Sequence, residues 1–439
     1  MRLTKESQKV GRESIRAATK PTGNIEPSQH AVRLSVHAGR NLVRFGALFG
    51  ALCLSVVSPV VAAATDTESS PSSSLPTASV SSRALPANLA NELTVAPGFV
   101  LEVFARGVEN ARQMALAEDG TLLVGSRHAG NLYALPDKNG DFYADSVITL
   151  ASNLRRPSGI AYRDGDLYVA DINVVLRFND VLNHLQVDAP REVVYDKLPS
   201  DGHHGWKYLR FAPNGELTIP VGAPCNICDA GLPYAAIHSL NLETKKLTLL
   251  AQGVRNSVGF DYHPVTGELW FTDNGRDMLG NEIPGEELNR VTRAGQHFGY
   301  PYIHAGDIPD PEFGKGKRAR DYRVPAYVLP AHHAALGMTF IRGESWPKKY
   351  RNSVVVAEHG SWNRDPAAGY RVMAILLDDA GKAVGYEPLV EGWLQDGWLG
   401  ADISGRPADV LQMPDGSLLI ADDKDGIIYR LRYTGDAKS

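Results

Sequence analysis

The chain repeats one short pattern, in which alternating apolar and polar positions lie on either side of a turn glycine. Two clear copies are IAYRDGDLYVAD, from Ile160 to Asp171, and VLQMPDGSLLIADD, from Val410 to Asp423. Alternating apolar residues that flank a D-G or N-G turn indicate a β-hairpin. The turn glycines of the six copies recur at intervals of 45 to 76 residues and are Gly120, Gly165, Gly215, Gly267, Gly343 and Gly416.

Self-similarity at this period predicts a β-propeller, because a four-stranded blade needs roughly 40 to 50 residues. Six copies therefore predict an all-β, six-bladed β-propeller over residues 93–435. We expect the ring to close by pairing the edge strand LTVAPGFVLEVFARG, which starts at Leu93, with GIIYRLRY, which ends at Tyr433. Few, short helices are expected, since no helical periodicity is sustained after residue 93. The long connections 277–336 and 361–406 are expected to be insertions that carry functional loops.

The N-terminal region predicts export from the cytoplasm. Residues 1–44 carry nine Lys or Arg and three Glu, and the uncharged apolar stretch 45–64 ends in Ala62-Ala63-Ala64. This order is typical of a secretory signal peptide, so we expect cleavage near Thr65 and a periplasmic or secreted protein. The alternative is an uncleaved membrane anchor, because 20 apolar residues can span a bilayer. The Ser/Thr/Pro-rich residues 65–92 are predicted to form a disordered linker.

The composition of the remaining chain excludes several classes of protein. It has an acidic balance of charges, which argues against nucleic acid as a partner. No G-x-S-x-G elbow is present, so a serine nucleophile is not indicated. No G-x-G-x-x-G follows a strand into a helix, which argues against a nicotinamide-binding domain.

Two cysteines, Cys225 and Cys228, remain beyond the apolar stretch and form a C-x-x-C pair. In an exported protein such a pair is favoured as a structural disulfide or a free pair. A redox role and a metal site stay open as alternatives. The redox motif usually requires a helix N-terminus, and zinc requires about four ligands, which this region does not supply.

Polar residues cluster where the repeat pattern is interrupted. Taken alone, each cluster has a structural explanation, such as solvated turn histidines or an arginine that ties two blades together. Taken together, they place His, Arg and Asn at the entries and exits of blades, which favours a flat polyanionic ligand held over the channel. The clusters are residues 201–206, 253–257, 273–277, 331–334, 358–364 and 405–409.

Several ordered motifs resemble the glucose/sorbosone dehydrogenase family, and L-sorbosone dehydrogenase-type proteins are the most similar branch. The motifs are GHHGWKYLRFAPNGELTIPVGAPCNIC, GVRNSVGFDYHPVTGELWFTDNGRD, AEHGSWNR and GRPADVLQMPDGSLLIADD. The resemblance covers 93–433 and implies a six-bladed propeller that uses pyrroloquinoline quinone (PQQ) with Ca²⁺. It further implies oxidation of an aldose or a sorbosone-like sugar aldehyde to the lactone or acid. Electrons would pass to an external acceptor, a quinone or a cytochrome.

The resemblance also implies roles for individual residues. His204 matches the family's catalytic base, and Arg255 matches the residue that stabilises charge developing on the quinone. Arg255 and Asn256 match the pair that binds the cofactor. Gly275 and Arg276 match the positions whose backbone carbonyls hold Ca²⁺. His204 is expected to act near its ordinary pKa, and strand-like alternation predicts that the adjacent His203 faces the other way.

The chain departs from the family pattern at three places. Val258 stands where soluble glucose dehydrogenases have glutamine. Arg406 matches the first arginine of the family's R-x-R-D-V segment, but Ala408 stands where the second arginine is expected. The family's lysine on the fifth blade has no evident counterpart. His359, Asn363 or Arg364 is expected to substitute for it, and His332 is also expected to bind the cofactor.

Two other functions remain open from the residues. A calcium-dependent lactonase on a six-bladed propeller would need a carboxylate-rich central Ca²⁺ site, whereas the repeats place Arg and His there. A non-catalytic binding propeller of the cell envelope is the third possibility. A membrane is expected as a partner only if the apolar segment 45–64 stays uncleaved.

Overall fold

The computed structural model describes residues 83–395 and 403–435, which form a six-bladed β-propeller as the sequence predicts. Each blade is a mainly antiparallel sheet whose first strand lies innermost, against the first strands of neighbouring blades. The predicted scarcity of helix is also confirmed in this part of the chain. Its helices are the α-helix Ala87–Glu92 and the 3₁₀ turns Val181–His184, Ala319–Asp321 and Lys348–Tyr350.

Blades 1 to 3 follow one another along the first half of the described chain. The strands of blade 1, from inner to outer, are Ala111–Leu116, Leu122–Ser126, Leu132–Leu135 and Ile148–Ala151. Those of blade 2 are Gly159–Arg163, Asp166–Asp171, Val174–Phe178 and Arg191–Tyr195. Those of blade 3 are Arg210–Phe211, Leu217–Val221, Ala236–Leu240, Leu247–Gln252 and the parallel strand Gln296–His297.

Blades 4 to 6 complete the ring. The strands of blade 4 are Phe260–Tyr262, Leu269–Asp273, Glu286–Arg290 and Tyr327–Leu329. Those of blade 5 are Ala335–Phe340, Val354–Glu358, Arg371–Leu377, Ala383–Glu391 and Thr94–Val95. Those of blade 6 are Pro407–Gln412, Leu418–Asp422, Ile427–Tyr433 and Phe99–Arg106. A separate two-stranded pair joins Ile303–His304 to Ile308–Pro309.

The sequence repeat corresponds to the two inner strands of each blade. All six turn glycines lie between the first and second strands, with φ from 68° to 88°. This left-handed conformation is readily adopted only by glycine, which explains why the turns are so visible in the sequence. The hairpin turns lie at one end of the channel, and the second strands therefore run toward the other end.

The ring closes as predicted, by pairing the first long strand with the last one. Phe99–Arg106 runs antiparallel to Ile427–Tyr433, with Phe99 opposite Tyr433. The expected single edge strand is nevertheless divided, since Thr94–Val95 pairs with blade 5 instead. Regular structure also begins before residue 93, because Leu89 of the α-helix is 1% exposed and packs into the apolar cluster of blades 5 and 6.

The prediction that 277–336 and 361–406 are insertions is wrong in part. The first segment contains the two outer strands of blade 4, and the second contains two outer strands of blade 5. The predicted signal peptide and residues 65–82 of the predicted linker lie outside the described residues. Among the residues that are described, no helix is long and apolar enough to cross a membrane.

Polar side chains tie the inner strands together across the channel. Gln113 of blade 1 donates to the Leu209 carbonyl at 2.6 Å and accepts from the Ile160 backbone N–H at 2.8 Å. The Tyr208 hydroxyl bonds the Asp409 carboxylate at 3.1 Å. Buried polar groups that are paired in this way fix the geometry of the blades. The loops at the channel end therefore stand on a rigid frame.

Candidate functional site

A cavity of about 210 Å³, open to solvent, lies at the channel end opposite the glycine turns. Loops that enter or leave the inner strands form its walls, so it collects residues that are far apart in sequence. Such concave sites at the mouths of rigid folds are typical ligand sites. Its lining residues are Arg127, His204, Trp206, Arg255, Asn256, Asn274, Gly275, Asp277, Glu286, His332, Ala334, Trp362 and Asn363.

The structure brings most of the predicted site residues to this cavity. The predicted residues that line it are His204, Arg255, Asn256, Gly275, His332 and Asn363. The side chains of Arg276, Arg364 and Arg406 are directed to other partners.

His204 is a buried imidazole whose proton is fixed on one nitrogen. Its Nδ1 lies 2.8 Å from the Ala223 carbonyl oxygen, which can only accept a hydrogen bond. Nδ1 therefore carries the proton, and Nε2 is left with a lone pair. Burial, together with the charge of Arg255, lowers the pKa of His204 to about 2. The imidazole is consequently neutral, and its titration does not occur near the ordinary histidine pKa that we expected.

His203 and His204 lie in a turn rather than a strand, so the predicted alternation is wrong. His204 has φ 48°, and the two rings lie with their centroids 4.1 Å apart. They still differ in surroundings, since His203 is exposed and does not line the cavity. Local backbone conformation, which the pattern G-H-H-G leaves undetermined, therefore decides which histidine faces the cavity.

Arg255 is 4% exposed and its guanidinium is held by four hydrogen bonds. Nε donates to the Asn226 carbonyl at 2.9 Å, and Nη2 donates to Asn226 Oδ1 at 2.8 Å. Nη1 donates to the Asn274 carbonyl at 3.1 Å, and Nη2 also donates to Asp277 Oδ2 at 3.0 Å. A guanidinium has five N–H donors, so most of them are committed. Arg255 is thus presented to the cavity in a fixed orientation.

Two amide oxygens of the cavity lack a hydrogen-bond partner within the described residues. They are Asn256 Oδ1 and Asn363 Oδ1, and both are buried. The Asn363 amide is oriented by its own Nδ2, which donates to Asp277 Oδ1 at 2.8 Å. An unpaired buried oxygen costs free energy, so these two acceptors call for a donor or a hard cation from a ligand. The donor set therefore fits both an organic ligand and Ca²⁺.

The two positions predicted to hold Ca²⁺ differ in their surroundings. Gly275 lines the cavity, and a Cβ there would lie 3.1 Å from the Gly285 carbonyl oxygen, so the backbone is closely packed. The Arg276 side chain turns away and forms an ion pair with Asp310. The predicted Ca²⁺ ligand is the Arg276 backbone carbonyl, not this side chain. Across 83–395 and 403–435, no group of three or more His, Cys, Asp or Glu is arranged to hold a metal ion.

Arg364 and Arg406 are engaged outside the cavity lining. Arg364 pairs with Glu282 at 2.8 Å, near the surface. Arg406 donates to the backbone carbonyls of His359 and Gly360, at 3.0 and 2.9 Å. Ala408 is 3% exposed and supplies no charge. Both arginines were predicted to bind the cofactor, and neither of them lines the cavity.

Sequence reasoning missed Arg127, a cation that does line the cavity. Arg127 follows the second strand of blade 1, and its Nε is buried without a partner among the described residues. A signal for it exists in the repeat, because the residues just after the second strands of blades 4 and 5 are Asn274 and His359. Aligning the repeats at this exit position, rather than at the turn glycine, would have selected Arg127.

Three further lining residues, Glu286, Trp206 and Trp362, were given no individual role from the sequence, although they lie in or beside its predicted polar clusters. Glu286 is 3% exposed, and its Oε1 accepts from the Ala334 backbone N–H at 2.8 Å. Burial raises the pKa of Glu286 to about 8, although the backbone donors oppose this shift. Trp206 lies beside Arg127, with the guanidinium carbon 5.7 Å from a ring centroid. Trp362 is 62% exposed at the cavity.

Cys225 and Cys228 are joined in a disulfide, the arrangement favoured from the sequence. The bridge closes a loop of four residues at the edge of the site. The Tyr300 hydroxyl accepts from the Cys228 backbone N–H at 3.0 Å and anchors this loop to the segment after blade 4.

Comparison with known proteins identifies relatives over the whole propeller. Residues 93–306 match the family model described as TrAA12-like, and 221–430 match that described as glucose/sorbosone dehydrogenase. An uncharacterized protein of Borreliella burgdorferi is 34% identical over 361 residues, which are 79% of this chain and 92% of that protein.

Solved structures of two fungal proteins share the fold. A calcium structure of a Trichoderma reesei enzyme of carbohydrate-active enzyme family AA12 superposes with a TM-score of 0.68 and 19% identity, over 82% of this chain and 99% of its own. The holo PQQ domain of a pyranose dehydrogenase from Coprinopsis cinerea gives 0.67 and 18%, over 77% and 97%. At these identities the likeness shows the propeller fold.

Proposed function

Because this chain belongs to the glucose/sorbosone dehydrogenase family, we propose that it is a PQQ-dependent dehydrogenase of an aldose or a sorbosone-like sugar aldehyde. The product is the lactone or the acid, and the electrons leave to an external quinone or cytochrome. One observation carries the proposal. The neutral imidazole of His204 and the fixed guanidinium of Arg255 line the same cavity.

The cavity has the groups that a flat tricarboxylate cofactor and a cation require. When bound, PQQ with Ca²⁺ supplies an electrophilic ortho-quinone that accepts two electrons from an alcohol or hydrated aldehyde. Arg255, Arg127 and His332 would face its anionic groups, and Asn256 would hold the ring. The carbonyls of Gly275 and Arg276 and the free amide oxygens would bind the cation.

Three residues of this chain would have separate roles in the reaction. His204 Nε2 accepts the proton of the substrate hydroxyl, and the Ala223 carbonyl keeps the imidazole in the tautomer that can do so. Arg255 stabilises negative charge that develops beside it, because its cationic group is already oriented and largely desolvated. Trp362 offers an exposed aromatic surface on which a sugar ring can pack.

The proposal is tested by titrating the cofactor-free protein with PQQ in the presence of Ca²⁺. We expect saturable binding with an absorbance change, followed by PQQ-dependent reduction of an artificial dye by members of an aldose and aldehyde panel. Binding without turnover on any sugar would favour the non-catalytic propeller. Ca²⁺-dependent hydrolysis of a lactone in the absence of PQQ would favour the lactonase.

We also propose that the enzyme works outside the cytoplasm, with residues 1–64 removed as a signal peptide. The support is the order of basic, apolar and small residues in that region. N-terminal sequencing of the native protein tests this proposal. A cytosolic pool that begins at Met1 would contradict it.

A further inference from the structure

One short segment, 223–226, contacts both of the residues proposed to carry the reaction. The Ala223 carbonyl accepts from His204 Nδ1, and the Ala223 backbone N–H donates to the Arg255 carbonyl at 2.8 Å. Three positions further on, Asn226 binds the Arg255 guanidinium. We propose that Asn226 is a positioning residue, which holds the Arg255 guanidinium against the cofactor cavity from the disulfide-closed loop Cys225–Cys228. This inference rests on the proposed function and adds the element that aligns its arginine.

Asn226 recognises one whole edge of the guanidinium. Its backbone carbonyl accepts from Nε and its Oδ1 accepts from Nη2, so two parallel N–H groups are held at once. Paired contacts of this kind fix the plane of the group as well as its position. The other two contacts, from Nη2 to Asp277 and from Nη1 to the Asn274 carbonyl, each hold a single N–H group.

Asn226 also orders the counterion of Arg255. Its Oδ1 accepts from the Asp277 backbone N–H at 2.9 Å, and its Nδ2 donates to the Asp277 carbonyl at 3.2 Å. The donor and the acceptor of the Asn226 amide therefore both bind the Asp277 backbone. The same amide oxygen also binds Arg255, so Asn226 contacts both members of the ion pair of Arg255 with Asp277. Asp277 in turn holds Asn363, a cavity amide. Loss of the Asn226 side chain would remove its bond to Nη2 of Arg255 and loosen this chain of contacts.

The loop that carries Asn226 is fastened on both sides. The disulfide joins its first and last residues, and the Tyr300 hydroxyl lies 3.0 Å from the Cys228 nitrogen and 3.5 Å from Cys225 Sγ. Tyr300 is itself 4% exposed. A crosslink across four residues removes most of the freedom of the two between them. Asn226 is therefore a rigid acceptor rather than a mobile loop residue.

The first test needs no cofactor. In cofactor-free protein labelled with ¹⁵N-arginine, the Nη2–H signals of Arg255, assigned with Arg255→Lys, report its hydrogen bond to the Asn226 side chain. We expect Asn226→Ala to accelerate solvent exchange of the Nη2 proton bound to Asn226 Oδ1 by about tenfold or more, because a bonded proton exchanges only when the bond opens. Asn226→Asp keeps both side-chain acceptor contacts and should retain slow exchange. An unchanged exchange rate in Asn226→Ala would overturn the proposal, whatever the protein binds.

The second test measures PQQ affinity in the presence of Ca²⁺. Asn226→Ala should weaken binding about tenfold, and the effect should nearly vanish in the Arg255→Ala background, since both changes remove the same interaction. Full additivity of the two changes would contradict a positioning role. Failure of the native protein to bind PQQ would reject the proposed function, while the exchange measurement would still decide the role of Asn226.

Matched variants separate positioning from a general loss of stability. Asn241 belongs to the same blade and accepts from the backbone N–H groups of Glu243 and Thr244, at the opposite end of the strand. Asn241→Ala should leave both the exchange rate and PQQ affinity unchanged. The pair Cys225→Ser and Cys228→Ser should raise the exchange rate of the Arg255 proton. Equal rates in that variant and the native protein would show that the disulfide has no part in the positioning.

Discussion

Two walls of the same cavity hold their arginines in opposite ways. On the side of blades 3 and 4, Arg255 is neutralised by Asp277 and bound by three uncharged oxygens. On the side of blades 6 and 1, the lining residue Arg127 shares the Asp423 carboxylate with Arg112, which lies behind the lining, at 3.6 and 2.5 Å.

The second wall therefore keeps an excess of positive charge. His359 also contacts Asp423, at 2.8 Å, but burial lowers the pKa of His359 to about 3, so it adds no charge near neutrality. Arg406, which lies outside the cavity lining, is close enough to interact electrostatically with the same carboxylate. Clustered cations with too few carboxylates attract an anionic ligand. The first wall thus fixes the direction of a single group, the Arg255 guanidinium, whereas the second supplies positive charge.

The largest expected effect is that of replacing His204, the proposed general base. His204→Ala should bind PQQ but lose single-turnover reduction of the cofactor by about 10²–10⁴-fold, the usual contribution of a positioned general base. Rapid mixing of the PQQ-loaded protein with an active sugar measures this step. His203→Ala is the control, because His203 is exposed and lies outside the cavity lining. Equal, small losses in both variants would show that neither histidine is the base.

The next effect is the loss of the oriented charge. Arg255→Ala should weaken PQQ binding by about 1.5–3 kcal/mol, as expected for charge-assisted hydrogen bonds. Asn256→Ala removes a neutral contact and should cost about 0.5–1.5 kcal/mol. Calorimetric titration with PQQ and Ca²⁺ reports both values. If neither variant alters the affinity, the cofactor does not bind against blade 4.

A smaller effect should distinguish the second wall from the first. Arg127→Ala should weaken PQQ binding by about 1 kcal/mol at low salt, and by less as salt is raised, because its contribution is unspecific attraction between charges. The loss in Arg255→Ala should depend less on salt, since that contact is buried. Arg364→Ala is the matched control, as Arg364 pairs with Glu282 away from the cavity. Identical salt dependence of the Arg127 and Arg255 variants would remove the distinction between the walls.

The smallest expected effect is that of pH on the native enzyme. An imidazole must be neutral to accept a proton, and the pKa of His204 is lowered to about 2 by burial and by Arg255. The single-turnover rate should therefore change by less than about twofold between pH 5 and 8, and should fall only as pH approaches that pKa. Arg255→Ala removes the neighbouring charge and should shift the acid limb upward. A native midpoint between pH 6 and 7 would mean that another group controls the step.

The inner part of each blade could be predicted from the sequence because its signal is local. A positive φ at Gly165 or Gly416 requires glycine, and the flanking strands alternate within a few residues of it. The outer strands of blade 4 are not joined by such a short glycine turn. Tyr327–Leu329 is only three residues long, and its Val328 is 44% exposed, so neither length nor apolar pattern identifies it. Its place is set by pairing with Glu286–Arg290 across a long connection.

Site residues could be predicted by type but not by orientation. The motif that carries Arg406 indicates a cation near the cavity, yet two backbone carbonyls after the second strand of blade 5 accept hydrogen bonds from its guanidinium. The pKa of His204 depends on burial, which comes from packing against Gly222 and Ala223 rather than from its neighbours in sequence. Arg127 belongs to a blade whose loops contain none of the recognised motifs. Contacts between blades therefore decide what the sequence leaves undetermined.

The pairing of Phe99–Arg106 with Ile427–Tyr433 has a consequence for the order of biosynthesis. These strands meet across nearly the whole domain, as the bond from the Thr434 hydroxyl to the Gly98 carbonyl joins residues 336 positions apart. A ribosome releases the partner of the first ring strand only after blades 1 to 5 have been synthesised. Until then, blade 6 is unfinished, and its inner strand cannot support the part of the site that holds Asp423. The nascent chain thus acquires a complete cavity only after every blade has been synthesised.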